Sequence, residues 1–162
     1  MPIVEYCTKH VITALGSQTV FDATKEMRDK NVGSIVVLDS DKKPIGMVTD
    51  RDIAVRVVAE GKDSKSTLLK EIMSKDVVAL RQDQGVFEMT KTMCEKGIRR
   101  LPVVDKGGKL AGIICLDDLI IMFGQEVANI ANAIAYGTAR SERRKAPSND
   151  RFTSDWQLER RL

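Results

Sequence analysis

The sequence predicts an α/β chain of the α+β kind, two tandem β-α-β-β-α units packed as a pseudo-two-fold pair with a C-terminal helix and a polar tail. Three observations lead there. A shift of 66 residues lays positions 4–54 on positions 70–120 without a gap, and 15 of the 51 pairs are identical, where chance at ordinary residue frequencies gives about 3. Within each copy, runs of β-branched residues alternate with a stretch of helical period. The length, 162 residues with 43% apolar and 30% charged side chains, suits one domain or two small ones sharing a core.

The elements follow in order. Residues 9–13 and 75–79 read as short β-type runs, each followed by a polar turn, 14–18 and 80–84. A helix is expected over 19–29 and 85–95. Its apolar positions Val20, Ala23 and Met27, and Val86, Met89 and Met93, recur at three and four residues, which buries one face. Asn31 and Gly97 then end the helix in the left-handed conformation that these residue types accept. Strands at 34–38 and 101–104 lead into turns rich in Asp, Lys and Gly at 39–43 and 105–109. Second strands run over 45–49 and 111–115, and a second helix starts near Asp50 or Leu116. A unit this small cannot cover both of its faces, so the two copies are expected to pack on each other.

Residues 60–66 form a polar linker, and 67–73 read as a leader helix into the second copy. After Ile120 the chain continues as a helix to Ala139, with Val127, Ile130, Ala131, Ile134 and Ala135 on one apolar stripe. Residues 141–155 are polar and expected to be loose, and 156–162 make one or two amphipathic turns. The boundaries are therefore 1–62, 67–125, 126–140 for the helical extension and 141–162 for the basic tail.

Composition excludes several classes. With His10 as the single histidine, neither a two-imidazole metal site nor a histidine-pair mechanism is available, and no metal site is expected. Cys7, Cys94 and Cys115 are scattered, match no zinc spacing and fit a reducing compartment. The first residues lack the basic and apolar regions of a signal peptide. The apolar stretch 110–123 is interrupted by Asp117 and Asp118 and is too short to span a bilayer, so a soluble, cytoplasmic protein is expected. No nucleophile–base pair, phosphate-binding glycine loop or metal cluster appears, so no enzyme is expected. The tail from Thr138 carries seven bases and four acids, a net of +3, while residues 1–137 carry 19 of each. The tail, with Arg143, Arg144 and Lys145, is thus a solvated terminus or a contact for nucleic acid or an acidic protein.

Both copies end in a strand–helix junction, Gly46-Met47-Val48-Thr49-Asp50-Arg51-Asp52 and Gly112-Ile113-Ile114-Cys115-Leu116-Asp117-Asp118. With the segment from Gly97 to Asp105, these junctions, their order and their duplication resemble a pair of CBS (cystathionine β-synthase) domains, a Bateman module, over residues 1–125. The resemblance implies a stand-alone regulatory pair with no obligatory cofactor. In the family, the cleft between the motifs binds AMP, ADP, ATP or S-adenosylmethionine and signals to a downstream protein by a change in geometry. It also implies a homodimer, through the apolar faces after Asp52 and Asp118.

The resemblance assigns residues to that cleft. Thr49 and Asp52, and in the second copy Cys115 and Asp118, take the ribose positions. A carboxylate can accept from both ribose hydroxyls; read locally, Thr49 and Asp52 are equally a helix-capping pair. Arg99 and Arg100 take the phosphate positions or stand solvated, and being adjacent on a strand they are expected to point to opposite faces. Arg51 and Arg56 are secondary phosphate contacts or part of a solvated face. The base is expected against Ile12, Thr13, Gly33, Ser34 and Ile35. Cys115 is a weak hydrogen-bonder where the motif has a hydroxyl, so the site with Thr49 and Asp52 is expected to be the better occupied one.

Overall fold

The computed structural model describes residues 3–145, with side-chain exposure given through Gly137. The described residues divide into two units after Ile120. The first holds both copies of the repeat.

In the first copy, strand β1 (Thr13–Leu15) pairs in parallel with β2 (Ser34–Leu38), which pairs antiparallel with β3 (Pro44–Thr49). Helix α1 (Val20–Lys30) makes the crossover between β1 and β2, as a parallel pair requires. The second copy repeats this as β4 (Leu80–Arg81), α4 (Val86–Lys96), β5 (Arg100–Val104) and β6 (Leu110–Cys115). Each helix is built as its sequence predicts. Thr19 caps α1 by accepting from the Asp22 amide at 3.1 Å, and Val20, Ala23 and Met27 are buried. Asn31 and Gly97 end α1 and α4 at φ of 52° and 61°.

The first strands start later than the β-type runs suggested. Val11-Ile12 and Val77-Val78 have strand propensity but lie outside any strand, and pairing begins at Thr13 and Leu80, where the register meets Val36 and Val103. Propensity yields here to the position of the partner strand.

Between the sheets the chain exchanges arms. Helix α3 (Leu69–Ile72), the leader into the second copy, is buried in the first copy's core. Leu69 and Ile72 pack there among Ala14, Val20, Ala23, Ile35, Val37 and Val48. Ser74 then bridges Met47 on β3. The N-terminal turn, Ile3–Glu5, mirrors this: Cys7 is buried and Thr8 bridges Ile113 on β6. Two glycines allow the approach. A Cβ on Gly46 would overlap Met73, and one on Gly112 would overlap the Cys7 sulfur and sit 3.1 Å from the Thr8 carbonyl oxygen. Overpacking of this kind costs about 1–3 kcal/mol. Gly112→Ala is therefore expected to lower the melting temperature by several degrees, and adding Cys7→Ala should recover part of the loss; full additivity of the two changes would refute the contact.

The second helices differ between the copies. In the first, α2 (Asp50–Ile53) gives way to a π-helical turn, Ala54–Val58, closed by the Ala59 amide on the Ala54 carbonyl at 3.0 Å. In the second, α5 runs unbroken over Leu116–Lys145. It therefore continues past Ser141, where the loose tail was expected to start; residues 146–162, including the expected amphipathic turns, lie outside the described residues. The segment Leu116–Gly137 is also long and apolar enough, by length and composition, to cross a membrane. The expectation for 110–123 missed this because the apolar region begins with strand β6 and belongs to a longer helix.

Candidate functional site

Thr49 ends β3 and starts α2, and its side chain forms a capping box with Asp52. Asp52 Oδ2 accepts from the Thr49 amide at 2.9 Å and from its hydroxyl at 2.7 Å, while the Asp52 amide donates to Thr49 Oγ1 at 3.2 Å. The capping role is thus present in the structure. It leaves the other carboxylate oxygen, Oδ1, with a single cationic neighbour, Arg56 Nε at 3.5 Å. Arg56 is held from its far side by donating to the Ile72 carbonyl, at the end of α3.

This junction forms one wall of a cleft of about 360 Å³, at the small end of the range for small-molecule sites. Met47, Thr49, Asp50, Arg51 and Asp52 line that wall. The opposite wall comes from the second copy: Ser74, Asp76, Val77 and Val78 before β4, and Gly97, Ile98, Arg99 and Arg100 before and at the start of β5. The irregular backbone that kept residues 75–79 out of the sheet is what places them here.

Both arginines line the cleft, contrary to the opposite-face expectation. β5 begins only at Arg100, so Arg99 lies in the turn after the left-handed Gly97, where strand alternation does not apply. Arg99 and Arg51 are exposed and form no ion pair among the described residues, although Asp50, Asp52 and Asp76 line the same cleft. Arg100 is half-buried. It faces Cys115 across the β5–β6 pair, and a Cβ on Gly33 would stand 3.7 Å from its guanidinium.

The base-wall residues named from the first copy are not gathered by this cleft. Ile35 is fully buried in the first core and Ile12 packs against that core; Thr13 is exposed at the start of β1. Gly33 and Ser34 lie at the start of β2, beside the cleft without lining it. The physical reason is the exchange of arms, which sets the Thr49–Asp52 junction against the second copy. The sequence held the signal. The 66-residue shift that carries Gly33 and Ser34 to Arg99 and Arg100 also carries Ile12 to Val78 and Val32 to Ile98.

The second junction, at Cys115 and Asp118, lies outside this cleft. It keeps half of the capping box, the Cys115 amide donating to Asp118 Oδ2 at 2.8 Å. The thiol cannot reproduce the hydroxyl. Burial raises its pKa, and the nearby Asp118 carboxylate raises it further, so it stays a neutral, weak donor around pH 7.

Comparison with known proteins agrees with this architecture. The CBS domain family model matches twice, over residues 3–59 and 69–123. An uncharacterized protein of Methanopyrus kandleri is 37% identical over 126 residues, 78% of this chain and 64% of its own length, so the chain spans somewhat under two thirds of that relative. Among solved structures, a protein with CBS domains from Burkholderia ambifaria is 34% identical with a TM-score of 0.67, covering 74% of this chain and 91% of its own. A CBS domain pair solved in complex with 5′-methylthioadenosine and S-adenosyl-L-methionine is 26% identical with a TM-score of 0.70, covering 78% of this chain and 98% of its own. With two matched motifs, the duplicated β-α-β-β-α fold and a cleft between the copies, the chain belongs to the CBS domain family, as a tandem pair.

Proposed function

We propose that the chain is a non-enzymatic regulatory module that senses an adenine nucleotide in the cleft between Thr49–Asp52 and Arg99–Arg100. The observation that carries this reading is the pair of exposed arginines, Arg51 and Arg99, that line the cleft without a carboxylate partner among the described residues. Arginine in that state is suited to bidentate capture of phosphate. In this arrangement Asp52 Oδ1 accepts from the ribose hydroxyls, Val77, Val78 and Ile98 flank the base, and the three arginines meet the phosphates. Occupancy shifts the population between two cleft geometries that differ in affinity for the ligand, which is how it reaches a downstream partner. Cys115 and Asp118, with Ile12, Thr13, Gly33 and Ser34, form the pseudo-equivalent and weaker site.

The related pair bound to S-adenosyl-L-methionine supports a second reading, in which the same cleft takes that sulfonium compound. Ribose and base are common to both ligands, and phosphate separates them. A thermal-shift panel with AMP, ADP, ATP and S-adenosylmethionine therefore includes the double variant Arg99→Ala/Arg100→Ala. A ligand at 100 times its Kd adds about 2.7 kcal/mol, roughly 5–10 °C for a chain of this size. The nucleotide reading expects a shift that the double variant loses. A shift given by S-adenosylmethionine alone and kept in that variant would select the second reading, and no shift from any of them would remove both.

The module is proposed to act as a homodimer. Val55 (52% exposed) and Val58 (71%) after Asp52, and Ile120 (66%) and Ile121 (73%) after Asp118, place aliphatic side chains at the surface on equivalent helices, a distribution that favours association.

A further inference from the structure

We propose that α5 pairs with the α5 of a second copy as a parallel, two-stranded coiled coil. The proposal deepens the dimer reading above and is independent of the ligand in the cleft. From Leu116 the large apolar residues of α5 fall at alternating steps of four and three: Leu116, Ile120, Phe123, Val127, Ile130 and Ile134. This is an a/d heptad seam, with Ile120, Val127 and Ile134 at a and Leu116, Phe123 and Ile130 at d. It is sustained over three heptads, and Leu116–Gly137, at 22 residues, is about 33 Å long.

The seam is laid open to solvent. Ile120, Val127 and Ile130 are 66%, 65% and 60% exposed, and Phe123 is 49% exposed. An isolated helix gains most of its stability from a packed apolar face, so this one is built for a partner. The polar residues keep off the seam: Gln125, Asn129 and Asn132 occupy f and c positions, and Gln125 donates to Asn129 at 3.2 Å along that outer face.

Two features select a second copy in parallel. β-Branched residues at every a position favour two parallel strands. The flanking e and g positions suit self-pairing, because they are small or neutral apart from Asp117, at the first turn of the helix, and Glu126: Gly124, Ala131 and Ala133 are among them. In the parallel register Glu126 at g meets the second copy's Ala131 at e, so no like charges are opposed. The same outer face argues against a bilayer as the occupant, since Glu126 and the amides of Gln125, Asn129 and Asn132 would have to enter hydrocarbon.

The test uses the full chain with the exposed Cys94 replaced, in a Cys94→Ser background. Val127→Cys and Asn132→Cys are each oxidised, and the cross-linked fraction and the oligomeric state by light scattering are read. A parallel seam sets the two a-position sulfurs face to face, so Val127→Cys is expected to cross-link at least tenfold more completely than Asn132→Cys. Equal cross-linking of the two, or none, in a protein that is still dimeric would overturn the coil while leaving the dimer reading intact. A monomer would overturn both. Co-sedimentation of the unmodified chain with phosphatidylcholine vesicles, with no preferential Val127→Cys cross-link, would assign the apolar face to lipid and also overturn the coil.

Discussion

Asp52→Ala is expected to lose the thermal shift given by nucleotide, with a fall in affinity of about 10- to 100-fold or more. A hydrogen bond to a charged group contributes about 1.5–3 kcal/mol, and a tenfold change in Kd corresponds to about 1.4 kcal/mol. The substitution has a second effect that must be separated from the first. Asp52 Oδ2 also accepts from the Thr49 amide at 2.9 Å, and a half-buried donor left without its acceptor costs about 1–3 kcal/mol. Ligand-free Asp52→Ala should therefore melt a few degrees lower than the wild type. Asp52→Asn resolves the two contributions. Its amide oxygen can still accept from Thr49, so the ligand-free protein should keep nearly its full melting temperature while binding stays weakened. Calorimetric titration of the two variants measures both quantities. Wild-type affinity in Asp52→Asn would reduce Asp52 to its capping role and remove the ribose assignment. Asp118→Ala, at the junction where a thiol replaces the hydroxyl, is expected to leave the principal site close to wild-type affinity.

Ile72→Ala is expected to give the largest loss of stability. Ile72 is 1% exposed and, with Leu69 of the same helix, belongs to a cluster otherwise built from the first copy, with Val20, Ala23, Ile35 and Val48. Truncating a buried isoleucine to alanine costs about 2–5 kcal/mol, or roughly 5–15 °C in melting temperature here. The location of the damage is as informative as its size. By sequence Ile72 leads into the second copy, yet hydrogen exchange should accelerate most in α1, β2 and β3. Loss of protection confined to α4, β5 and β6 would show that α3 does not belong to the first core. Because the Ile72 carbonyl also accepts from Arg56, the neighbour of Asp52, the variant should also weaken ligand binding more than its distance from the cleft suggests.

Much of the fold is legible residue by residue. The helical period of Val20, Ala23 and Met27, the Thr19 cap and the left-handed stops at Asn31 and Gly97 are local properties, and local chemistry sets them. The 66-residue repeat then doubles every assignment. The failures fall where local chemistry is silent or misleading. Val11-Ile12 and Val77-Val78 have the composition of strands, but pairing depends on where β2 and β5 lie. The break of the second helix into a π turn at Ala54 has no counterpart at Ile120, and nothing in either sequence segment announces the difference.

The candidate site divides in the same way. The motif residues Thr49, Asp52, Arg99 and Arg100 were identifiable from sequence because the junction and its duplicate carry a recognisable pattern. Ile12 and Ile35, the base residues that the resemblance implied, do not line the cleft beside Thr49 and Asp52, where Val77, Val78 and Ile98 do; that juxtaposition depends on contacts between distant segments.

By itself, then, the sequence determined the element types, their duplication and the chemistry at each junction, all of which follow from side-chain periodicity, capping and turn preference over a few residues. Only the tertiary structure decided which copy faces which. It sent α3 into the first core and Cys7 against Gly112, and it brought Asp76, Val77, Val78 and Ile98 round to Thr49 and Asp52. The reason is physical: neither copy can bury both faces of its sheet, and exchanging apolar arms covers them. A choice made by burial of distant surfaces leaves little trace in local sequence.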